Sequence, residues 1–265
     1  MIASEPSTAI ACTGLRKAFG GVQAVDGATF SVPLGSISAL IGPNGAGKST
    51  AVNMLAGAIA PDGGRAELLG TDVTRWPANR VAVAGLIRTF QLSREFGRLT
   101  VLENLMVTPI GQAGESLWKV LLRPSAIRAE EAANLARALG ILEAYDLYAL
   151  RDTYAAELSG GQKRLLELAR SVMAEPKVLL LDEPMAGINP ALIERIGQHI
   201  VDLRDRGVTV LMVEHNLNVV ESICDRVIVM AEGKTLAIGT MAEMRAHQEV
   251  VRAYLGGALS ESTAR

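Results

Sequence analysis

The run Gly42-Pro43-Asn44-Gly45-Ala46-Gly47-Lys48-Ser49-Thr50 constrains this chain more than any other segment, because its composition suits a loop folded around an anion. It fits the pattern G-x-x-x-x-G-K-[ST]. The preceding Ile37-Ser38-Ala39-Leu40-Ile41 is short, apolar and β-prone, and Thr50-Ala51-Val52-Asn53-Met54-Leu55 continues in helix formers. The order strand, loop, helix therefore follows from local pattern. Glycines let the backbone wrap closely with its N–H groups pointing inward, and the helix start adds a partial positive charge. Lys48 is placed to reach outer phosphates, and the Ser49 hydroxyl suits Mg²⁺. A plain glycine-rich turn explains the glycines but not the strand, the lysine and the hydroxyl together. The implied ligand is a nucleoside triphosphate.

At 265 residues the chain has ample length for a core, and its formal net charge of −2 gives no electrostatic case for nucleic acid or an anionic membrane. The two cysteines, Cys12 and Cys224, are far apart and lack metal-like spacing, so buried reduced thiols are expected. Met1 to Thr8 lacks a basic stretch followed by an apolar one, so no signal peptide is expected. Apolar runs all fall short of a bilayer span. A cytoplasmic chain, free to dock on a membrane protein, is the expectation.

Residues 9–32 alternate apolar and polar residues around Phe19-Gly20-Gly21 and Asp26-Gly27, which reads as short antiparallel strands with turns. Pro61-Asp62-Gly63-Gly64 reads as a turn before a strand pair near 65–69, and 86–90 as a further strand. From about Leu99 to Arg170, Ala, Leu, Glu and Arg dominate, and 127–142 carries helical spacing, so this is a helical insert. Residues 177–181 form an apolar strand ending in Asp182-Glu183, 191–205 an amphipathic helix, and 208–213, 227–230 and 235–238 later strands. Strands alternating with helices predict a parallel core. The last residues, 257–265, read as a frayed tail.

Asp182 and Glu183 stand at the carboxyl end of a buried strand, where ligands sit in open α/β sheets. Asp182 suits Mg²⁺, and Glu183 suits the positioning or deprotonation of an attacking water. A solvated turn is the alternative. Ser159-Gly160-Gly161-Gln162 opens the helix Lys163–Arg170 and forms a second anion site at a helix start, with a simple N-cap as the alternative.

With this second signature, the chain resembles the ATP-binding subunits of ABC transporters from about Ile10 to Leu255. The resemblance implies an α/β fold: a P-loop NTPase core with a parallel sheet, an N-terminal antiparallel β subdomain and an inserted α-helical subdomain. It implies one ATP-binding domain over 9–256, with the insert at about 99–170. It further implies that Ser159 to Gln162 complete the nucleotide site of an opposite subunit. Phe19 matches the aromatic that stacks on adenine, and Val25 the apolar wall beneath it. Gln91 matches the loop glutamine that touches Mg²⁺, and His215, one of three histidines, the switch histidine at the γ-phosphate. Gly187-Ile188-Asn189-Pro190 matches the segment crossing to the partner, although Asn189 stands where aspartate is usual and Ala186 where serine is.

Arg88-Thr89-Phe90-Gln91, Leu99-Thr100-Val101-Leu102-Glu103-Asn104-Leu105 and Ala253-Tyr254-Leu255-Gly256 resemble the branched-chain amino acid importers. So does a longer stretch between Val107 and Arg128, whose apolar residues read as packing on the insert. The urea and short-amide importers are similar, and a non-transport ABC-type ATPase is a further alternative. A metabolic P-loop kinase would leave Ser159–Gln162 without a purpose. The implied cofactors are ATP and Mg²⁺. The implied partners are a second ATP-binding subunit, two transmembrane permease subunits and an extracytoplasmic solute-binding protein, at the cytoplasmic face of the membrane.

Overall fold

In the computed structural model, which describes residues 7–89, 96–109 and 124–255, the chain divides into two units. One comprises Met1–Arg88 with Lys177–Arg265, the other Thr89–Pro176. In the first unit, Thr8–Phe19 (β1) and Val22–Pro33 (β2) pair antiparallel. Gly20 and Gly21, at φ 52° and 87°, supply the left-handed pair that a two-residue hairpin loop requires. These are two long strands, where the sequence suggested several short ones. Asp26-Gly27 is not a turn but part of β2. Leu15 faces Ala28 while Arg16 faces Asp26, so Gly27, at φ 89°, is the extra residue of a β-bulge. With Gly63–Leu68 (β4) and Thr71–Asp72 (β5) the hairpin makes a four-stranded sheet ordered β2-β1-β4-β5.

Ile37–Ile41 (β3), Val178–Asp182 (β7) and Thr209–Val213 (β8) are buried at every position. Continuous apolar runs of this kind belong in a parallel sheet covered on both faces. They join Leu86–Arg88 (β6), Arg226–Ala231 (β9) and Lys234–Gly239 (β10) in a six-stranded sheet ordered β10-β9-β3-β8-β7-β6. All neighbours from β9 to β6 run parallel, as the alternation of strands and helices predicts, and β10 alone returns antiparallel to β9. One apolar cluster, including Leu15, Phe30, Leu40, Met54, Leu180 and Ile228, joins both sheets to the helix Lys48–Leu55 (α1). A second helix, Ala78–Val83 (α2), precedes β6.

The second unit is helical: Val101–Met106 (α3), Pro124–Ala144 (α4) and Gly160–Met173 (α5) surround Leu105, Leu142 and Leu166. Asn104 has no exposed surface. Its side chain accepts the Phe96 amide at 3.0 Å and donates to the Phe96 and Thr100 carbonyls, which fixes the entry to α3. Gln91, the middle of the 107–128 stretch and the tail from Gly256 lie outside the described residues.

Candidate active site

The carboxyl ends of β3, β8 and β7, neighbours in the sheet, deliver the phosphate loop, His215 and the acidic pair to one edge. Such an edge is the usual ligand-binding place in open parallel sheets. The loop between β3 and α1 depends on its glycines. Gly42 sits at φ 151°, and a Cβ there would fall 2.1 Å from the Met230 carbonyl oxygen. Gly47, at φ 91°, would place one 2.3 Å from the Ala24 carbonyl oxygen. Ala46 is buried, and its carbonyl accepts the Gly233 amide at 3.2 Å, while the Gly233 carbonyl accepts the amide of Asp26 at 2.8 Å. The turn between β9 and β10 thus fastens the loop to β2.

Lys48 is 6% exposed, and its Nζ donates to the carbonyls of Gly42 at 2.8 Å and Pro43 at 3.0 Å. Burial lowers its pKa, against the opposing pull of Glu183 and Asp182. The ammonium therefore lies in the field of both acids. Ser49 is exposed at the first turn of α1, and Pro43, Asn44, Gly45 and Thr50 complete the loop with partial or full exposure.

Asp182 ends β7 with 2% exposure. Its Oδ2 accepts Arg88 Nη2 at 2.8 Å, and Oδ1 is buried without a hydrogen-bond partner. Glu183 follows in the left-handed region at φ 50°, unusual for a non-glycine and typical of functional sites. Its Oε1 lies 3.0 Å from His215 Nε2. The pair is partly open, at 26% for Glu183 and 40% for His215.

Phe19 stands half exposed at the end of β1, with Lys17 Nζ 5.7 Å from its ring centre. Asp62 secures that strand end, accepting Lys17 Nζ and the Ala18 amide, each at 2.8 Å. The Lys17 hydrogen bond first, and then the Ala18 amide, hold the Asp62 carboxyl below its usual range. Val25 differs from the expected apolar wall. It has no exposed surface and packs beneath Gly47, because it belongs to the core-facing side of β2.

In the second unit, Ser159 caps α5. Its Oγ accepts the Gln162 amide at 3.3 Å, and Gln162 Oε1 accepts the Ser159 amide at 2.9 Å. Ser159 and Gly160 are exposed, and Gly161 and Gln162 half-buried. The capping reading is thus realised. Asn189 caps the helix Pro190–Asp205 (α6), accepting the Leu192 amide at 2.9 Å. Gly187 before it is at φ 72°.

Sequence reasoning gave no role to three residues that organise the site. Arg88 binds Asp182 and Asn53, and Glu214 joins the loops after β7 and β8. A charged residue at the end of an apolar strand was the available signal.

Residues 25–186 match the family model described as ABC transporter. The chain belongs to the ABC transporter family. Residues 234–259 further match a model described as branched-chain amino acid ATP-binding cassette transporter. The chain is 39% identical over 256 residues to the high-affinity branched-chain amino acid transport ATP-binding protein LivG of Salmonella typhimurium, covering 96% of this chain and 100% of that one. It is 38% identical to BraF, the corresponding protein of Pseudomonas aeruginosa, over 93% of this chain and 97% of the relative. A crystal structure of a nucleotide-free ATP-binding cassette superposes with a TM-score of 0.81 at 34% identity, covering 93% and 98% of the two chains. Another cassette, in its ADP conformation, gives 0.80 at 35% identity over 94% and 99%. As an ABC cassette the chain binds and hydrolyses ATP, and the P-loop NTPase fold read from the sequence is the fold observed. Among the described residues, no helix is long and apolar enough to cross a membrane.

Proposed function

We propose that this cassette powers import of branched-chain amino acids through two permease subunits, docked at the cytoplasmic face of the membrane and served by an extracytoplasmic solute-binding protein. The match of 234–259 to the branched-chain family model is the observation that carries the solute class. The names of the full-length relatives agree with it.

Glycines that tolerate no Cβ, a lysine within the loop and a helix start together fit the triphosphate. Phe19 takes the adenine face, and Val25 supports the loop from below. For Mg²⁺ the donor set is hard oxygen: the Ser49 hydroxyl and the unpartnered Oδ1 of Asp182, with Gln91 as a further ligand. Among the described residues no cluster of three or more His, Cys, Asp or Glu could hold a metal. When bound, Mg²⁺ supplies charge neutralisation to the phosphates. Glu183 orients and deprotonates the attacking water, and His215 holds the Glu183 carboxylate and reaches the γ-phosphate. Ser159 to Gln162 of a second subunit donate to the same phosphate, so ATP bridges the subunits and hydrolysis releases them.

Uptake of labelled leucine, urea and short amides in a strain lacking this chain tests the solute class. Loss of leucine uptake alone is expected. Loss confined to urea or amides selects the related importers, and undiminished uptake of all three points to a non-transport ATPase.

A further inference from the structure

Arg88 ends β6 and stands in register beside Leu180 of β7, two residues before Asp182. Its side chain is 14% exposed and that of Asp182 2%. Burying such a pair is costly, so its net contribution to stability is small and its presence calls for another purpose. The guanidinium is forked. Nη2 donates to Asp182 Oδ2 at 2.8 Å, and Nη1 donates to Asn53 Oδ1 at 2.5 Å. Asn53 lies on α1, one turn after Ser49, and its Nδ2 donates to the Ser49 carbonyl at 2.7 Å. A continuous relay, Asp182–Arg88–Asn53–Ser49, therefore joins the two residues whose oxygens suit the metal. It occupies one carboxylate oxygen and leaves Oδ1 unpartnered.

We propose that Arg88 and Asn53 are positioning residues of the metal site, fixing the spacing and orientation of Asp182 relative to Ser49. The inference rests on the reading of Ser49 and Asp182 as the metal-holding residues. A guanidinium suits the task because its planar fork addresses two acceptors at fixed geometry, which a lysine ammonium does not. If Arg88 only neutralised a buried carboxylate, Asn53 would be irrelevant to the metal.

The test uses the full chain with Mn²⁺ as probe, titrated by electron paramagnetic resonance in saturating ADP, and ADP affinity measured separately in EDTA. Asn53→Ala and Arg88→Lys are each expected to weaken Mn²⁺ about tenfold while ADP affinity in EDTA stays within about twofold. Unchanged Mn²⁺ affinity in folded variants, or an equal loss of ADP affinity with and without metal, overturns the proposal. Should Arg88→Lys fail to fold, the half-buried Asn53→Ala decides. Asp182→Asn separates the two readings. If it leaves Mn²⁺ affinity unchanged, the metal-site reading itself falls. If it alone weakens Mn²⁺, only the relay falls.

Discussion

The carboxylate of Glu214 accepts the backbone amide of Met185 at 3.0 Å, joining the loop after β7 to the loop after β8. Its other oxygen accepts the amides of His215 at 2.9 Å and Asn216 at 3.1 Å. At 3% exposure, the one side chain sets the relative position of the segments that carry Glu183 and His215. An ionised carboxylate is suited to this work because it only accepts.

Glu214→Gln preserves shape but turns an amide donor toward at least one of the three N–H groups. The expected stability cost is about 1–3 kcal/mol from the unsatisfied donor. Turnover should fall with little change in KM for ATP, since the phosphate loop is untouched. Urea denaturation and steady-state kinetics on the same protein check both. Parent-like turnover would mean that the two loops hold their geometry without the carboxylate.

Glu183→Gln should bind ATP normally and accumulate as a closed dimer, with hydrolysis reduced at least about a hundredfold through loss of the base. Size-exclusion chromatography with ATP and a phosphate-release assay read the two consequences. Normal turnover would remove Glu183 from its assigned role.

Lys48→Ala should abolish nucleotide binding, because the ammonium within the loop is lost. Gly42→Ala is expected to do so by a different route, since its Cβ would overlap the Met230 carbonyl and the loop would have to open. Calorimetric titration with ATP checks both variants. ATP affinity retained by either one contradicts the loop assignment.

Burial raises both thiols from the ordinary 9.0 to about 12, with the nearby Asp225 and Glu214 charges adding to the effect at Cys224. A raised acid pKa means that the native chain keeps protons which the unfolded chain releases. Stability is therefore unaffected by these groups below about pH 9 and falls as pH climbs from there toward 12, by at most about 1.4 kcal/mol per pH unit for each thiol. Denaturant midpoints measured at rising alkaline pH should show the decline, and Cys12→Ala should remove part of it. An identical slope in that variant would show that other groups dominate.

The phosphate loop and the strands β3, β7 and β8 were legible because each is specified locally, by glycines at fixed offsets or by continuous apolar runs. Asp26-Gly27 was misread as a turn because the same dipeptide serves both a tight turn and a glycine bulge. Only the partner strand decides between them. Arg88 and Glu214 showed only as charged residues at the ends of apolar strands, since Asp182 stands 94 residues from the one and Met185 29 from the other. Asn189 illustrates a third case. Asparagine in place of the usual aspartate costs the cap nothing, because either side-chain oxygen accepts the Leu192 amide.

Gly233 sits on a hairpin tip far from the phosphate loop in sequence, yet it touches both Ala46 and Asp26 through its own backbone. A shortened gene product ending ahead of β9 would still encode every residue proposed above for the nucleotide, but would have lost the clasp that shapes their container. Fragments or fusions designed around the motifs alone should be judged by whether they keep that distant buckle.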